Sequence, residues 1–389
     1  MNLKLAYLSR GKLFLKQGDL AARQIESEFG QDIVNRSLQR QQRNEWKMQG
    51  ANNPFSGAML WGMDQNDPRR LRVAIGAVSG GTHEGELLFA LETDAVGGLF
   101  VYDWDQGEEK RLFHREALRA RDLDVHPENG LIVCARHYPN GQASIAIVRG
   151  NDLQAVTEGD SIDEAPTWIP GAGKQLVFQS AGIGRNQQGY AVGISPIAIQ
   201  RLDLQTGSLA TVLENPAHDF LQPHLDATGN LYFIRRPYEA LGRQPYTIVK
   251  AIQDVILFPF RLLRAIFHWL NFMSLVYSRK PLTTAAGPKV EGDDAKTLIL
   301  RGRIIDAEKA VREGAPGEAS ALVPPTWELV KRNATGGEQV LAKSVVAFDL
   351  DSDGHVVYTN GTAVYGLEPD STPQMLFKGK LIENLVIVK

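Results

Sequence analysis

The residues best suited to chemistry are carboxylates and histidines near the middle of the chain. Six are candidates for lining a central channel, with Asp122 and Asp219 beside them: Asp124, His126, Asp163, Glu164, His218 and His224. Carboxylate oxygens and imidazole nitrogens are common ligands of divalent metals in proteins. If the fold brings these side chains together they can bind a metal. Otherwise they are polar residues that line a hydrated channel, and their spacing leaves both interpretations open.

Known catalytic and metal-binding motifs are incomplete in this sequence. Residues 349–354 begin like a calcium loop, but the twelfth position holds Asn360 instead of the bidentate Glu that such a loop needs. Residues 171–174 resemble part of a phosphate loop, yet Trp168 and Gln175 occupy positions that require Gly and Ser or Thr. Neither G-x-S-x-G nor H-E-x-x-H occurs. The sequence therefore predicts no catalytic residue, no cofactor and no assigned metal ligand.

Charge and cysteine content exclude several classes of protein. Lys and Arg total 42 against 45 Asp and Glu, for a formal net charge of -3, and there is no long basic run. This balance predicts that nucleic acid is not a partner. The single cysteine, Cys134, excludes an intrachain disulfide and any multi-cysteine metal site. It lies in an apolar run, which predicts a buried core residue.

A repeated unit must position these polar residues. Each copy has a strand, a turn that contains Gly, and a second strand that is apolar at nearly every position. The turns occupy residues 126–130, 170–173, 226–229 and 351–354. Gly and Asn tolerate the positive φ that tight antiparallel connections need. An apolar strand after each turn indicates burial on both faces.

The spacing of the apolar strands fits a propeller blade. Phe89, Val133 and Phe178 are about 45 residues apart, within the roughly 40–50 expected for a four-stranded blade. The much longer interval from Phe233 to Tyr358 indicates a large insertion.

The four turns resemble the TolB-type β-propeller repeat, in which a Pro-Asp-Gly-like turn precedes an apolar strand. This resemblance and the spacing predict an all-β fold, a six-bladed propeller formed by one domain over residues 1–389. We expect the C-terminal strand, from Leu381, to be the inner strand of the blade that also contains the two N-terminal strands. Closure of this kind removes exposed sheet edges. The family spans binding modules and domains attached to peptidases, and lactonase-type propellers bind a metal in their channel.

Two insertions interrupt the predicted propeller. The first is a polar surface helix over residues 26–50. The second, in blade five, is a hydrophobic amphipathic helix with a linker over residues 246–296. Its core, 255–277, is long enough to span a membrane. However, Arg261 and Arg264 each cost about 2.5–3.5 kcal/mol near a bilayer centre, and the chain must return to finish the same blade.

An orientation in the plane of the membrane surface fits this helix better. Its polar residues, Arg261 and Arg264 among them, cluster within an arc of about 120°. The opposite face carries the apolar residues that we expect to contact a membrane or a partner: Leu262, Leu263, Ile266, Trp269, Leu270, Met273 and Tyr277. Because so wide an apolar face must be covered, the alternatives are a membrane surface, a protein partner, or the propeller itself.

The sequence favours a non-enzymatic binding or scaffold propeller. We expect a cytoplasmic protein attached peripherally to a membrane through the inserted helix, presenting its faces to a protein partner. One alternative is a metal-dependent hydrolase or lactonase with its site in the channel. Another is a soluble adaptor whose helix docks a protein partner.

Overall fold

The computed structural model describes residues 3–48, 73–93, 96–240, 297–300, 303–306, 320–352, 354–368 and 371–388. The chain divides into two compact units, Met1–Tyr238 with Thr297–Lys389, and Glu239–Lys296. The first unit contains every strand described below. The second lies outside the described residues except for Glu239 and Ala240.

The first half of the chain contains one helix and sixteen strands within the described residues. They are β1 (Lys4–Ser9), β2 (Lys12–Gln17), β3 (Arg23–Ile25), α1 (Glu28–Met48), β4 (Ala74–Gly80), β5 (Glu86–Glu92), β6 (Val96–Asp103), β7 (Glu109–Glu116), β8 (Ala120–Val125), β9 (Ile132–His137), β10 (Ala143–Arg149), β11 (Asp152–Ala155), β12 (Ser161–Trp168), β13 (Gln175–Arg185), β14 (Ala191–Ile194), β15 (Ala198–Asp203) and β16 (Ser208–Leu213).

The second half is again built of strands. They are β17 (His218–Leu225), β18 (Leu231–Pro237), β19 (Thr297–Leu300), β20 (Arg303–Asp306), β21 (Glu328–Arg332), β22 (Glu338–Lys343), β23 (Ala347–Leu350), β24 (Val356–Thr359), β25 (Ala363–Leu367), β26 (Gln374–Lys378) and β27 (Ile382–Val388).

The strands form six four-stranded groups within the described part of the chain. Group 1 is β27-β1-β2-β3, group 2 is β4–β7, group 3 is β8–β11, group 4 is β12, β13, β15 and β16, group 5 is β17-β18-β21-β22, and group 6 is β23–β26. Groups 3 and 4 belong to one nine-stranded sheet, in which Ala143 and Ile162 pair in parallel. The extra strand β14 pairs with β13, and β19 pairs with β20.

The C-terminal strand pairs with the N-terminal one. β27 lies antiparallel to β1, with Ala6 opposite Val386 and Tyr7 opposite Leu385. Group 1 therefore combines strands from both ends of the chain, which is the pairing that the sequence spacing predicts.

The turns between the first and second strands of groups 3 to 6 follow from their glycines. Gly130, Gly173, Gly229 and Gly354 all have positive φ, between 65° and 82°. Because glycine lacks a Cβ, it adopts this conformation without the steric cost that other residues meet. The four turns picked out by the sequence repeat are these four connections.

Apolar side chains fill the spaces between successive groups. Leu15 and Phe89 join groups 1 and 2, Leu88 and Cys134 groups 2 and 3, Ile145 and Phe178 groups 3 and 4, Val177 and Phe233 groups 4 and 5, Tyr232 and Phe348 groups 5 and 6, and Val357 and Leu5 groups 6 and 1. All these residues are buried. The core therefore consists of several apolar layers between successive groups of strands.

Helix α1 lies in the region for which the sequence predicts an inserted polar helix. The hydroxyl of Ser27 accepts a hydrogen bond from the backbone N–H of Gly30 at 3.2 Å, so it caps the first turn. At Gly30 a Cβ would lie 2.7 Å from Cγ1 of Val73. Glycine at this position thus allows the helix to approach the sheet closely.

Candidate binding site at the central cavity

We use the term inner strand for the first strand of each group: β27, β4, β8, β12, β17 and β23. Contacts between inner strands lead from β4 to β8, β12, β17, β23 and β27, and from β27 back to β4. A cavity of about 440 Å³, called the central cavity below, is lined by residues from all six. One lining residue from each, in the order β4, β8, β12, β17, β23 and β27, is Val78, Asp122, Ala165, Gln222, Phe348 and Leu385.

Three inner strands carry the same irregularity where they face the central cavity. Asp122, Ala165 and Gln222 have φ values of 45°, 49° and 51°, and the pairing register shifts around each of them. A left-handed conformation costs a residue with a Cβ roughly 1–2 kcal/mol. Each residue holds the same position relative to the turn that follows it. The strain is therefore repeated on three of the six inner strands that line the cavity.

Two aspartates join neighbouring inner strands across this wall. The Oδ2 of Asp124 accepts a hydrogen bond from the backbone N–H of Trp168 at 2.7 Å. The Oδ2 of Asp349 accepts one from the backbone N–H of Ile387, also at 2.7 Å. Asp124 and Asp349 occupy the same position relative to their turns. Both carboxylates therefore satisfy backbone donors that the strand ladders leave unpaired.

The hydrogen bonds of His126 define its tautomer. Its Nδ1 accepts from the backbone N–H of Glu128 at 3.2 Å, so the ring proton lies on Nε2. Nε2 then donates to the carbonyl oxygen of Gly173 at 2.8 Å. The ring also packs edge-on against Trp168, with centroids 4.9 Å apart. Because both nitrogens are engaged, His126 can bind a metal only if it gives up one of these bonds.

His224 lies between two groups. Its Nδ1 is 3.2 Å from the carbonyl oxygen of Gln222, and its Nε2 is 3.9 Å from Oδ1 of Asp349. The ring lies 5.0 Å from that of Phe348. The contacts hold His224 at the boundary of groups 5 and 6, where it lines the central cavity.

Of the channel residues proposed from the sequence, Asp124, His126 and His224 line the central cavity, together with Asp122. The other candidates are not among the lining residues. Asp163 is buried and accepts a hydrogen bond from the hydroxyl of Ser180 at 2.7 Å. Glu164 accepts one from the amide of Gln179 at 3.0 Å. His218 begins β17, at the end of the strand opposite to His224.

Asp219 forms a buried ion pair. Its Oδ2 lies 2.9 Å from Nε of Arg236, and both side chains are 5% exposed. Its Oδ1 accepts from the backbone N–H of Ile197 at 3.1 Å. The guanidinium lies 4.7 Å from the centre of the Trp327 ring. This aspartate therefore stabilises the packing of group 5.

The described residues contain no group of three or more His, Cys, Asp or Glu side chains arranged to hold a metal ion. The same part of the chain contains no helix that is long and apolar enough to cross a membrane. The nine residues proposed to contact a membrane or partner, Arg261, Leu262, Leu263, Arg264, Ile266, Trp269, Leu270, Met273 and Tyr277, lie outside the described residues.

The sequence does not single out Gln222, although the structure does. Gln222 is among the residues that line the central cavity and is 5% exposed, and its buried Oε1 has no hydrogen-bond partner within the described residues. Its backbone N–H donates to Oε1 of Gln179 at 2.9 Å. The equivalent positions in the inner strands of groups 3 and 4 hold Asp122 and Ala165. Because the three residue types differ, the sequence repeat does not reveal this position.

Comparison with known proteins identifies the fold. No protein-family model matches the chain, and no curated protein matches it. TolB from Acinetobacter baumannii is similar over 99% of this chain and 66% of its own, with 11% identity and a TM-score of 0.50. A chain of the nidogen/laminin complex is similar over 99% of this chain and 98% of its own, with 7% identity and a TM-score of 0.52.

These similarities show a β-propeller fold, and the TolB-like resemblance of the repeats is confirmed. The chain spans just under two thirds of the length of the TolB structure. At such low identity the comparison concerns the fold alone.

Proposed function

We propose that the chain is a six-bladed, non-enzymatic β-propeller that binds a protein partner at the central cavity. The observation that carries this proposal is the convergence of all six inner strands on that cavity. Cavities at the mouths of β-barrels and similar closed folds are common ligand sites.

The count of six blades is supported by the order of contacts. The apolar clusters join group 1 to group 2 and continue to group 6, and another cluster joins group 6 to group 1. The inner strands contact one another in the same order. The pairing of β27 with β1 completes group 1 from the two ends of the chain. In this proposal residues 1–389 form one propeller domain with insertions at 26–50 and 246–296.

Several polar side chains at the cavity are held by hydrogen bonds within the chain. Asp124 and Asp349 accept hydrogen bonds from the backbone of the next inner strand, and both nitrogens of His126 are engaged. A metal-dependent hydrolase needs several ligands that converge on one point. The described residues offer no such cluster, so nothing specific favours the hydrolase or lactonase alternative.

A protein partner is supported by one of the structural neighbours. The nidogen/laminin structure, which contains a propeller of similar fold, is a complex between two proteins. Pull-down of the partner by the purified protein tests the proposal, if a variant in which a bulky side chain fills the cavity is compared with the original chain. Asn384 lines the cavity, whereas Ser208 lies on the exposed outer strand β16.

Asn384→Trp should reduce capture of the partner at least tenfold, and Ser208→Trp should leave it unchanged. Circular dichroism and the melting temperature check that both variants fold. Equal capture by the folded Asn384→Trp variant and the original chain would contradict the proposal that the partner binds at the cavity.

Peripheral attachment to a membrane remains a proposal from the sequence of residues 255–277. Liposome flotation tests it with Ile266→Asp and Leu270→Asp combined in one variant. Loss of flotation supports a lipid contact. Undiminished flotation of the variant contradicts it. If the original chain does not float and the variant loses capture of the partner, the adaptor alternative is favoured.

A further inference from the structure

We propose that a second copy of this chain pairs with the open edge of β16, so that two molecules form a symmetric dimer through their group 4 strands. This inference goes beyond the proposed function, because it concerns an outer strand and not the central cavity. The described residues that line that cavity include none from β16. Two features of β16 carry the inference, its exposed edge and its lack of charge.

The outer edge of β16 has no neighbouring strand within the described part of the chain. β16 is the terminal strand of the nine-stranded sheet and pairs there with β15. Five of its six residues are exposed, with Leu209 at 59% and Val212 at 40%. An edge strand of this kind presents a row of unpaired backbone N–H and C=O groups, which another strand can satisfy.

The composition of β16 leaves this edge unprotected. Proteins commonly block edge strands with charged side chains, with proline or by keeping them very short. The six residues of Ser208–Leu213 contain no charged residue and no proline. The other five outer strands of the described groups each contain at least one charged residue: Arg23 in β3, Glu109 in β7, Asp152 in β11, Glu338 in β22 and Lys378 in β26.

A second β16 is the occupant that this uncharged edge fits. A two-fold axis sets each strand antiparallel to its own copy, and the assembly closes as a dimer because both edges are then used. No charged side chain of either strand has to be desolvated in this pairing, in agreement with the low charge at the centre of homodimer interfaces. The pairing also covers the exposed side chain of Leu209.

The pairing of β16 with β15 favours a two-fold axis at Ala210. Residues 208–211 are paired with β15 in regular register, and the register shifts before Leu213. An axis at Ala210 uses this regular part and leaves the shift at the end of the contact. Since directly opposed residues point to the same side of a sheet, Leu209 of one copy then lies opposite Thr211 of the second copy.

The size of the contact predicts a reversible dimer. One pair of six-residue strands buries less than the roughly 1,200 Å² at which standard interfaces begin. We therefore expect an equilibrium between monomer and dimer that depends on protein concentration. Sedimentation velocity of the full chain over a series of concentrations measures this equilibrium.

Leu209→Lys places a charge on the exposed edge and should raise the dissociation constant of the dimer at least tenfold. Met375→Lys is the matched control, because Met375 is 52% exposed on β26, another outer strand. The control should leave the dissociation constant unchanged. Circular dichroism and the melting temperature check that both variants fold.

Disulfide crosslinking tests the position of the axis. Directly opposed Cα atoms of antiparallel strands are about 4.5–5.5 Å apart, a separation that a disulfide spans. Ala210→Cys should therefore give a covalent dimer under mild oxidation, whereas Met375→Cys should not. The single native cysteine, Cys134, is buried and does not compete in the folded protein.

The inference is overturned if the chain sediments as a monomer at every concentration. It is also overturned if Leu209→Lys associates as strongly as the original chain, because another surface then joins the copies, or if Met375→Cys crosslinks as readily as Ala210→Cys. Capture of the partner at the central cavity is a separate measurement, so loss of the dimer leaves the proposed function standing. Adducts between two copies are distinguished from adducts with the partner by their mass.

Discussion

The Oδ2 of Asp349 in β23 accepts a hydrogen bond from the backbone N–H of Ile387 in β27, at 2.7 Å. This contact joins group 6 to group 1, the group built from both ends of the chain. Asp124 makes the equivalent contact to Trp168 between groups 3 and 4. The same side chains line the central cavity, so stability and the proposed recognition site share residues.

Removal of the Asp349 side chain tests how much this contact stabilises the fold. Asp349→Ala leaves the N–H of Ile387 without its acceptor and should lower the free energy of unfolding by about 1–3 kcal/mol. Asp349→Asn keeps an oxygen at the same place and should cost less. Urea denaturation measures both values, and equal losses in the two variants would show that the charge, not the hydrogen bond, matters.

The buried pair of Asp219 and Arg236 should be far more sensitive than an exposed pair. Both side chains are 5% exposed, and loss of the Asp219 charge removes a carboxylate from beside the buried Arg236 guanidinium, at a cost of about 3–5 kcal/mol. Asp219→Asn should therefore destabilise the protein strongly. Lys4 and Asp105, 3.2 Å apart with Asp105 largely exposed, provide the control. Asp105→Asn should cost less than about 1 kcal/mol.

Denaturant titration of Asp219→Asn and Asp105→Asn measures how much each change lowers the free energy of unfolding. The double variant Asp219→Asn with Arg236→Met should recover part of the loss, because the buried guanidinium is removed together with the carboxylate. A double variant less stable than the sum of its single changes would contradict the account of the pair.

His137 should make the protein less stable as the pH falls. Burial lowers the pKa of His137 below its usual value, although the nearby carboxylates of Asp122 and Glu92 oppose this effect. Its Nε2 has no hydrogen-bond partner in the described part of the chain and lies 3.4 Å from Oε1 of Glu164, a contact that only the protonated ring can use as an ion pair.

Because the folded pKa is depressed, the unfolded chain takes up the proton first as the pH falls below about 6.5. The stabilisation from His137 is present above that pH and is lost as the pH falls through the folded pKa. His137→Gln should flatten this part of the stability profile, measured by urea denaturation from pH 7.5 to 5. The exposed His83 provides the matched control, because His83→Gln should leave the slope in place. An unchanged slope in His137→Gln would assign the pH dependence to other groups.

Cys134 should be inert to thiol reagents in the folded protein. It is fully buried, and burial raises the pKa of its thiol to about 12. The thiolate is the reactive form, so almost none is present at pH 8. Since Cys134 is the single cysteine, labelling with an aromatic disulfide reports on it alone. We expect no labelling in native buffer and one equivalent in urea; rapid native labelling would contradict its burial.

The sequence predicts the strand and turn pattern because that pattern depends on local chemistry. The glycines of the four repeated turns need positive φ, and each of the strands after them contains an apolar run, so each copy is visible in isolation. The same spacing predicts the pairing of β27 with β1. Cys134 is correctly predicted to be buried, because it lies within one of these apolar strands.

The cavity wall is less predictable because it depends on register between distant strands. The strands place Asp124, His126 and His224 at the cavity, whereas Asp163 and Glu164 lie in the earlier half of β12. Polar residue type alone does not distinguish the two ends of an inner strand. Gln222 is missed because its backbone conformation, not its residue type, is what repeats. Asp122 and Ala165 share its left-handed conformation but have different side chains.

Site-specific photo-crosslinking tests the central claim most directly, that the partner binds at the cavity. Benzoylphenylalanine placed at the exposed cavity residues His83 and Pro127 should form covalent adducts with the partner. The same probe at Ser208 or Met375, both exposed on outer strands, should form none. Adducts from positions 208 or 375 alone, with the partner still captured, would contradict the account and place the interface on the outer edge of the propeller.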